Sequence, residues 1–462
     1  MARTALRDNA VVVGGGYAGL LAARVLSGHF RRVTVLEQDI PPGTGARPGV
    51  PQSHHPHALL ARGATQLEEF FPGLRTELLA HGCPVIDFAE GTKILFPTGW
   101  APRTPVGIDV QLLPRALLEH AIRERVTALD NVTLQHGLRV DRLLLNRSDD
   151  TVTVAAHPRA PERPDSDEQL IPASLVVDAT GRGSRLPQWL AQAGYRLPAT
   201  LTVDGQACYA SRLYTVQTDP DRDWCASYQP TIAPVSPRGG VVVRIAPDRW
   251  LLGLLGAAGH TPPTDDDGFR AYAAGLRNPD FARIIDEGTP AGPIHRTHTT
   301  ANRWHRYHRV PNWPSRLIAL GDSVCAFNPV YGQGMTVAAL QSKLLDALLT
   351  RHARRGEPDR LGPTFQRGAA ALVRSPWLVS TSTDRAWQDT AMPLSSRIAT
   401  GFMGAVTARL PHHQGLYLRF VRTMQMLDSP ATLATPRALA QLASLPSIPR
   451  HQATCTCPGA NP

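Results

Sequence analysis

Val11-Val12-Val13-Gly14-Gly15-Gly16-Tyr17-Ala18-Gly19 decides how this chain is to be read. An apolar strand runs into a glycine turn and from there straight into an amphipathic helix. Gly14 permits the tight turn, Gly16 lets the backbone approach a pyrophosphate, and Gly19 lets the helix pack closely on the strand. Phosphates placed there meet free N–H groups and the positive end of the helix dipole. Ala18, Leu21, Ala22 and Val25 recur at helical spacing, and Gly28 marks the stop. Val33, Val35 and Leu36 then form a second strand that ends at Glu37. An acid about 20 positions beyond the turn accepts the hydroxyls of a ribose. Strand, turn, helix, strand and acid together read as a dinucleotide cradle.

Around this unit lies a chain of 462 residues with a net charge of +10, long enough for two or three lobes. Lys93 and Lys343 are the only lysines, leaving 46 of the 48 basic residues as arginine. That is a compositional skew, and no basic run interleaved with aromatics argues for nucleic acid. The positive field suits anionic substrates or a phosphorylated cofactor. Six cysteines, Cys83, Cys208, Cys225, Cys325, Cys455 and Cys457, lack a framework spacing and read as free thiols in a reducing compartment. Cys455-x-Cys457 with His451 has no second ligand pair and reads as tail. No run of 18 apolar residues occurs, so no stable membrane insertion and a cytoplasmic location are expected.

Residues 41–56, rich in proline and glycine, form a loop leaving the sheet. It carries Arg47, Gln52, His54 and His55, with His57 just beyond; no carboxylate or cysteine follows at ligand spacing, so these line a cofactor rather than bind a metal. Helix is expected over 58–71 and short strands over 84–108. Pro114 opens a further helix whose first turn holds Arg115. A cation there opposes the helix dipole, which leaves either an anion partner or a solvated arginine. Residues 132–135, 140–145 and 152–155 read as one antiparallel group. Leu175-Val176-Val177-Asp178 is a buried strand leading into Ala179-Thr180-Gly181. From 209 to 256 strands alternate, with Tyr209, Ser211, Leu213 and Thr215 on one face and Ala210, Arg212 and Tyr214 on the other. A sheet inserted in a nucleotide-binding chain covers the substrate. Short helices follow over 269–276 and 281–286.

The strand Leu317-Ile318-Ala319-Leu320-Gly321-Asp322 precedes Asn328-Pro329-Val330-Tyr331-Gly332-Gln333-Gly334-Met335 and a helix over 336–349. Asp322 is placed to bind hydroxyls of a polyol chain, and the N–H groups near Gly334 to stabilise negative charge. Beyond 360 come amphipathic helices, with Trp377 and Trp387 as packing residues.

These three segments, in this order over residues 9 to about 350, resemble the FAD-dependent monooxygenases of the aromatic-hydroxylase fold. Arg47-Pro-Gly-Val-Pro-Gln52 with His55 and His57, Tyr209-Ala-Ser-Arg-Leu-Tyr214, and Phe327-Asn-Pro-Val-Tyr-Gly-Gln-Gly-Met335 look most like the squalene-epoxidase-like branch, with its epoxidases of polyketide polyenes in polyether pathways. The resemblance implies an α/β fold: a Rossmann-like FAD-binding domain of the glutathione-reductase type, an inserted antiparallel substrate sheet and C-terminal helices. The corresponding division is FAD binding over 1–85, 111–200 and 301–360, substrate sheet and domain over 86–110 and 201–300, and a helical region and tail over 361–462.

It also implies that Gly14, Gly16 and Gly19 hold the FAD pyrophosphate, Glu37 the adenosine ribose, Asp322 the ribityl chain and Arg115 the phosphates. Arg47, Asp178, Gly181 and Met335 complete the cofactor set. Pro329, Gly332 and Gly334 would face the flavin pyrimidine, and Arg212 would join them at the reacting end. The second motif departs from the family's usual Asp-Gly: Asp178-Ala-Thr-Gly181 is the form seen in flavin reductases and halogenases. The chemistry implied is reduction of FAD by NADPH or NADH, or by a separate flavin reductase, then O2 addition at flavin C4a and oxygen transfer from the hydroperoxide to a hydrophobic small molecule. Epoxidation of an alkene is expected, with aromatic hydroxylation, prenyl-chain reduction and a flavin-binding sensor as alternatives, and no metal is required. A halogenase would need a lysine to carry hypohalous acid and a Trp-x-Trp-x-Ile-Pro stretch, which is absent.

Overall fold

The glycine turn lies at the centre of a five-stranded parallel sheet in the computed structural model, which describes residues 8–40, 54–146, 151–159, 168–355, 360–388 and 394–443. The sheet runs Leu317–Ala319, Leu175–Asp178, Asn9–Val13, Arg32–Glu37, Val132–His136. A parallel sheet must be covered on both faces, which is why its central strands are apolar throughout rather than alternating. Ala10 and Val12 pack with the helix Tyr17–Ser27 and the long helix Gln333–Arg355 on one side. Val11 and Val13 pack on the other side against a three-stranded antiparallel sheet of Leu138–Asn146, Thr151–Pro158 and Gln169–Ala173.

Here the sequence reading needs correction. Residues 132–136 belong to the central sheet and pair parallel with Arg32–Glu37, not with the antiparallel group. Gly137, at φ +74°, separates this strand from the next and allows the chain to change sheets. The expected helix over 58–71 begins with a two-residue strand, Ala58–Leu59, paired to Asp109–Leu112, and becomes helix only at Ala61. The helix expected over 336–349 starts earlier and runs longer, as Gln333–Arg355.

An eight-stranded sheet stands opposite the central one. Cys208–Thr215, Arg249–Gly256, Arg238–Ala246 and Ala226–Gln229 pair antiparallel, and Thr92–Phe96 then joins parallel to Ala226–Gln229. Ala210 and Tyr214 turn toward the helices Asp266–Ala274 and Asp280–Glu287, where they bury with Phe269, Phe281 and Ile284. Gly240 is required for this packing, because a Cβ there would lie 2.9 Å from the Phe281 ring. The other face of the sheet is left for a ligand.

Helix Leu361–Arg385 packs along Gln333–Arg355, and helices Leu394–Thr407 and Gln414–Met424 close over Thr92–Phe96. Phe96 and Phe420 meet edge to face at 6.0 Å. Among the described residues no helix is long and apolar enough to cross a membrane.

Candidate active site

A cavity of ≈ 790 Å³ opens between the two large sheets and reaches the C-terminal helices. At one end lies the glycine turn. Gly14 has φ +99°, and a Cβ on it would lie 2.6 Å from the Ala179 carbonyl oxygen. Gly19 does not line the cavity. Its role is contact, since a Cβ there would come within 1.8 Å of the Gly14 oxygen. Gly16 caps the helix Tyr17–Ser27 without a side-chain cap, so the first-turn N–H groups face the cradle without that partner. Glu37 ends its strand beside the turn; Oε2 accepts from the Gly15 N–H at 2.8 Å and Oε1 from the Asp39 N–H at 2.9 Å. Glu37, Gln38 and Asp39 all line this end.

Asp178 occupies a different place from the one the sequence suggests. It is fully buried and absent from the cavity wall; its carboxylate accepts from Thr180 N–H at 3.1 Å, Thr180 Oγ1 at 2.5 Å and Ser184 Oγ at 2.6 Å. Burial pushes its pKa up and these bonds pull it down. It therefore shapes the turn and is not a cofactor ligand. The residues it positions, Thr180, Gly181 and Arg182, do face the cavity. Gly181 has φ +75°, and its N–H donates to Ser323 Oγ at 2.9 Å.

Asp322 is half-buried in the cavity wall, where desolvation raises its pKa against the charges of Arg182, Arg115 and Arg303. A Cβ on Gly334 would be 3.6 Å from Asp322 Oδ1, which puts this carboxylate at the mouth of the helix Gln333–Arg355. Before that helix, Asn328 Oδ1 accepts from the Val330 N–H at 3.2 Å, Pro329–Tyr331 makes one tight turn, and Gly332 takes the left-handed conformation at φ +66°. Pro329, Gly332, Gly334 and Met335 all line the cavity. Among the atoms of lining residues that are buried without a protein partner are the Tyr17 hydroxyl and Arg115 Nε. Buried polar atoms are rarely left unsatisfied, and these two, with the glycine cradle and the Asp322 carboxylate, fit a dinucleotide carrying phosphates and a polyol. Arg115 opens its helix on the cavity, which favours the anion partner over solvent.

The other end is built from the inserted sheet. Tyr209, Ser211, Tyr228, Val243 and Leu255 face inward from it. Arg212 does not: it lies on the opposite face, its guanidinium on Asp266 at 2.8 Å and on the Gly292 carbonyl at 2.9 Å. Successive side chains of a strand point to opposite faces, so with Ser211 inside Arg212 must be outside, away from the reacting end where the sequence pattern had put it. Arg47 lies outside the described residues. His55 and His57 line the cavity; His55 Nδ1 is 2.8 Å from Ser211 Oγ, and His57 Nδ1 donates to the His55 carbonyl at 2.7 Å. Burial lowers them to about 3 and about 4.

Sequence reasoning missed the third wall. Thr400, Met403, Gly404 and Thr407 line the cavity from one helix, joined by Phe420. Their spacing of three, four and seven was the available signal, but a packing stripe has the same period. Asp384, on helix Leu361–Arg385, carried no local signal at all. Neither lysine reaches the cavity wall: Lys93 pairs with Asp280 at 2.7 Å and Lys343 with Glu69 at 2.8 Å.

Known proteins share this fold. The model of the NAD(P)-binding Rossmann-like domain matches residues 12–72. A relative from Mycobacterium tuberculosis, Protein Rv3254, is 33% identical over 442 residues, 92% of this chain and 90% of its own. Kynurenine 3-monooxygenase of Salinispora tropica is 28% identical, over 82% of this chain and 79% of its own length. Among solved structures, p-nitrophenol 4-monooxygenase PnpA of Pseudomonas putida superposes with a TM-score of 0.60 at 17% identity, covering 92% of this chain and 99% of its own.

Proposed function

We propose, from the premise that the chain belongs to the FAD/NAD(P)-binding flavin-monooxygenase family, that it transfers one atom of O2 to an alkene of a neutral, apolar substrate. NAD(P)H supplies the electrons, directly or through a separate reductase. Bound FAD would supply the redox chemistry that puts one oxygen into the substrate and releases the other as water.

The observation that carries the reading is the chemical character of the cavity lining. Every charged side chain in the described lining, Arg115, Arg182 and Asp322 among them, comes from the nucleotide-binding lobe. The inserted sheet and the C-terminal helices contribute only apolar or neutral polar groups, such as Ile94, Phe96, Val243, Met403 and Phe420. A free amino acid such as kynurenine would bury a carboxylate and an ammonium there without partners, which costs several kcal/mol. An alkene needs only a dry apolar wall and placement.

The chain's own residues divide the remaining work. Gly14 and Gly16 admit the pyrophosphate, Glu37 the ribose hydroxyls and Asp322 the polyol, while Arg115 offers its unpartnered Nε to phosphate. N–H groups at the start of Gln333–Arg355 stabilise the negative charge that a reduced flavin carries. Two lysines already engaged in ion pairs outside the cavity count against halogenation.

A second reading, hydroxylation of a phenol, is supported by His55, a neutral base candidate on the cavity wall beside Ser211. Turnover under labelled O2 with a linear polyene ester, a phenol and kynurenine separates them. Label in an epoxide is expected; ring hydroxylation alone, or alkene saturation without oxygen, would overturn the epoxidase assignment.

A further inference from the structure

Beneath the Asn328–Gly332 turn lies a carboxylate that oxygen transfer does not use. Asp384, on helix Leu361–Arg385, is 2% exposed and is not part of the cavity wall. Three side chains give it hydrogens. Asn302 Nδ2 donates to Oδ2 at 2.6 Å, the Tyr331 hydroxyl to Oδ1 at 2.8 Å, and Asn328 Nδ2 approaches Oδ1 and Oδ2 at 3.2 and 3.1 Å. Gly205 makes the room, since a Cβ there would be 2.7 Å from Asp384 Cγ.

All these partners donate, which is the environment an ionised carboxylate requires. The arrangement also fixes the Asn328 amide. With its NH2 committed to Asp384, its oxygen is left to accept from the Val330 N–H at 3.2 Å and so to hold the turn. Asn302 is fixed in the same way, its oxygen accepting from the Asn328 N–H at 2.9 Å and from Ser380 Oγ at 2.6 Å. A neutral Asp384 would bring in an O–H among two amide NH2 groups and one hydroxyl, and the Tyr331 hydroxyl could accept it only by giving up its own donation to Asp384. Rotation of the Asn328 amide would supply an acceptor, but only by presenting NH2 to the Val330 N–H and releasing the turn.

We propose that Asp384 is a positioning residue for the bound flavin: as a carboxylate it locks the Asn328–Gly332 turn against the cofactor, and proton uptake at Asp384 unlocks it. The proposal rests on the flavin-binding reading above. Burial raises Asp384 to about 6 against the bonds from Asn328, Tyr331 and Asn302, and the charge of Asp204 adds to the rise. Tyr331 itself is held as a protonated phenol. The unlocking therefore falls in a range where His55 and His57, at about 3 and about 4, stay neutral.

The test uses FAD-loaded protein and reads the visible flavin spectrum and the FAD dissociation constant from roughly pH 5 to 8. Wild-type protein should show one spectral transition near pH 6, with FAD held about tenfold less tightly on the acid side, the loss expected for one charge-assisted hydrogen bond. Asp384→Asn should give a flat profile at the weaker affinity. Tyr331→Phe removes one donor to the carboxylate and should move the midpoint upward, a shift that a passive packing role would not produce; this variant carries the test if Asp384→Asn fails to fold. An Asp384→Asn protein with the wild-type transition and affinity overturns the proposal, as does an unmoved midpoint in Tyr331→Phe. Wild-type protein that binds FAD with a flat profile overturns this inference alone. Wild-type protein that takes up no FAD at any pH overturns the flavin reading with it.

Discussion

Substitution at Gly19 tests the cradle at a single atom. Its missing Cβ would sit 1.8 Å from the Gly14 oxygen, a backbone atom that cannot rotate away. Gly19→Ala should therefore separate helix from strand, at a cost of more than about 3 kcal/mol, and lose FAD as well. Thermal melting with the flavin absorbance as second readout checks this; a variant that melts with wild type and stays yellow contradicts it. Asp322→Ala should instead spare the fold and weaken FAD binding, because its carboxylate faces the cavity. Residues of this kind were legible in the sequence because backbone geometry dictates them: only glycine fits at positions 14 and 19, and an acid must end the strand at Glu37. Asp178 and Arg212 were misread because a residue name does not say which way a side chain turns. One was spent on its own turn and the other on the outer face of a sheet.

At the scale of the element, the inserted sheet separates a structural face from a functional one. Lys93 belongs to the first: its ammonium sits 2.7 Å from the buried Asp280 and over the Trp100 ring at 4.7 Å. Lys93→Met leaves the buried Asp280 carboxyl without that cation, and removing one partner of a buried pair costs about 3 kcal/mol or more. Melting should show that loss while FAD affinity and specific activity of the folded enzyme persist; abolished turnover with intact stability would revive the halogenase reading. Met403 belongs to the second face, on the helix that closes the cavity. Met403→Trp should narrow the apolar arm, raising KM for a long polyene about tenfold or more while a short alkene is little affected, since an overpacked wall costs about 1–3 kcal/mol. Equal effects on both substrates would move the substrate elsewhere. The sheet was readable from its alternation, and the Val132–His136 strand was not, because strand pattern carries no label for the sheet a strand will join. The closing helices show the same limit, as a stripe that packs and a stripe that lines a cavity share one period.

For the whole molecule, burial of titratable groups between the lobes predicts how stability follows pH. His55, His57 and His305 are lowered to about 3, about 4 and about 4, with desolvation the largest cause in each. Folded, they stay neutral; unfolded, they take up protons near pH 6.5. Their contribution is thus present above pH 6.5 and lost progressively as the pH falls toward 4. Asp384 has the opposite sign. Raised to about 6, it opposes folding when ionised and recovers stability only as the pH drops from about 6 toward its unfolded value near 3.9. Five lowered histidines, His54 and His308 included, stand against three raised carboxyls, Asp178, Asp322 and Asp384, and with the histidines acting first they give a melting temperature that falls from pH 7.5 to 5.5. Each extra proton bound by the unfolded chain is worth about 1.4 kcal/mol per pH unit, so the slope counts the histidines. His305 hydrogen-bonds Thr200 Oγ1 at 2.8 Å and is not on the cavity wall. His305→Gln should therefore flatten the slope by nearly one proton and leave FAD affinity unchanged. A wild-type melting temperature that is constant or rises on acidification, or a His305→Gln slope identical to wild type, would show that these histidines are not held neutral by the fold.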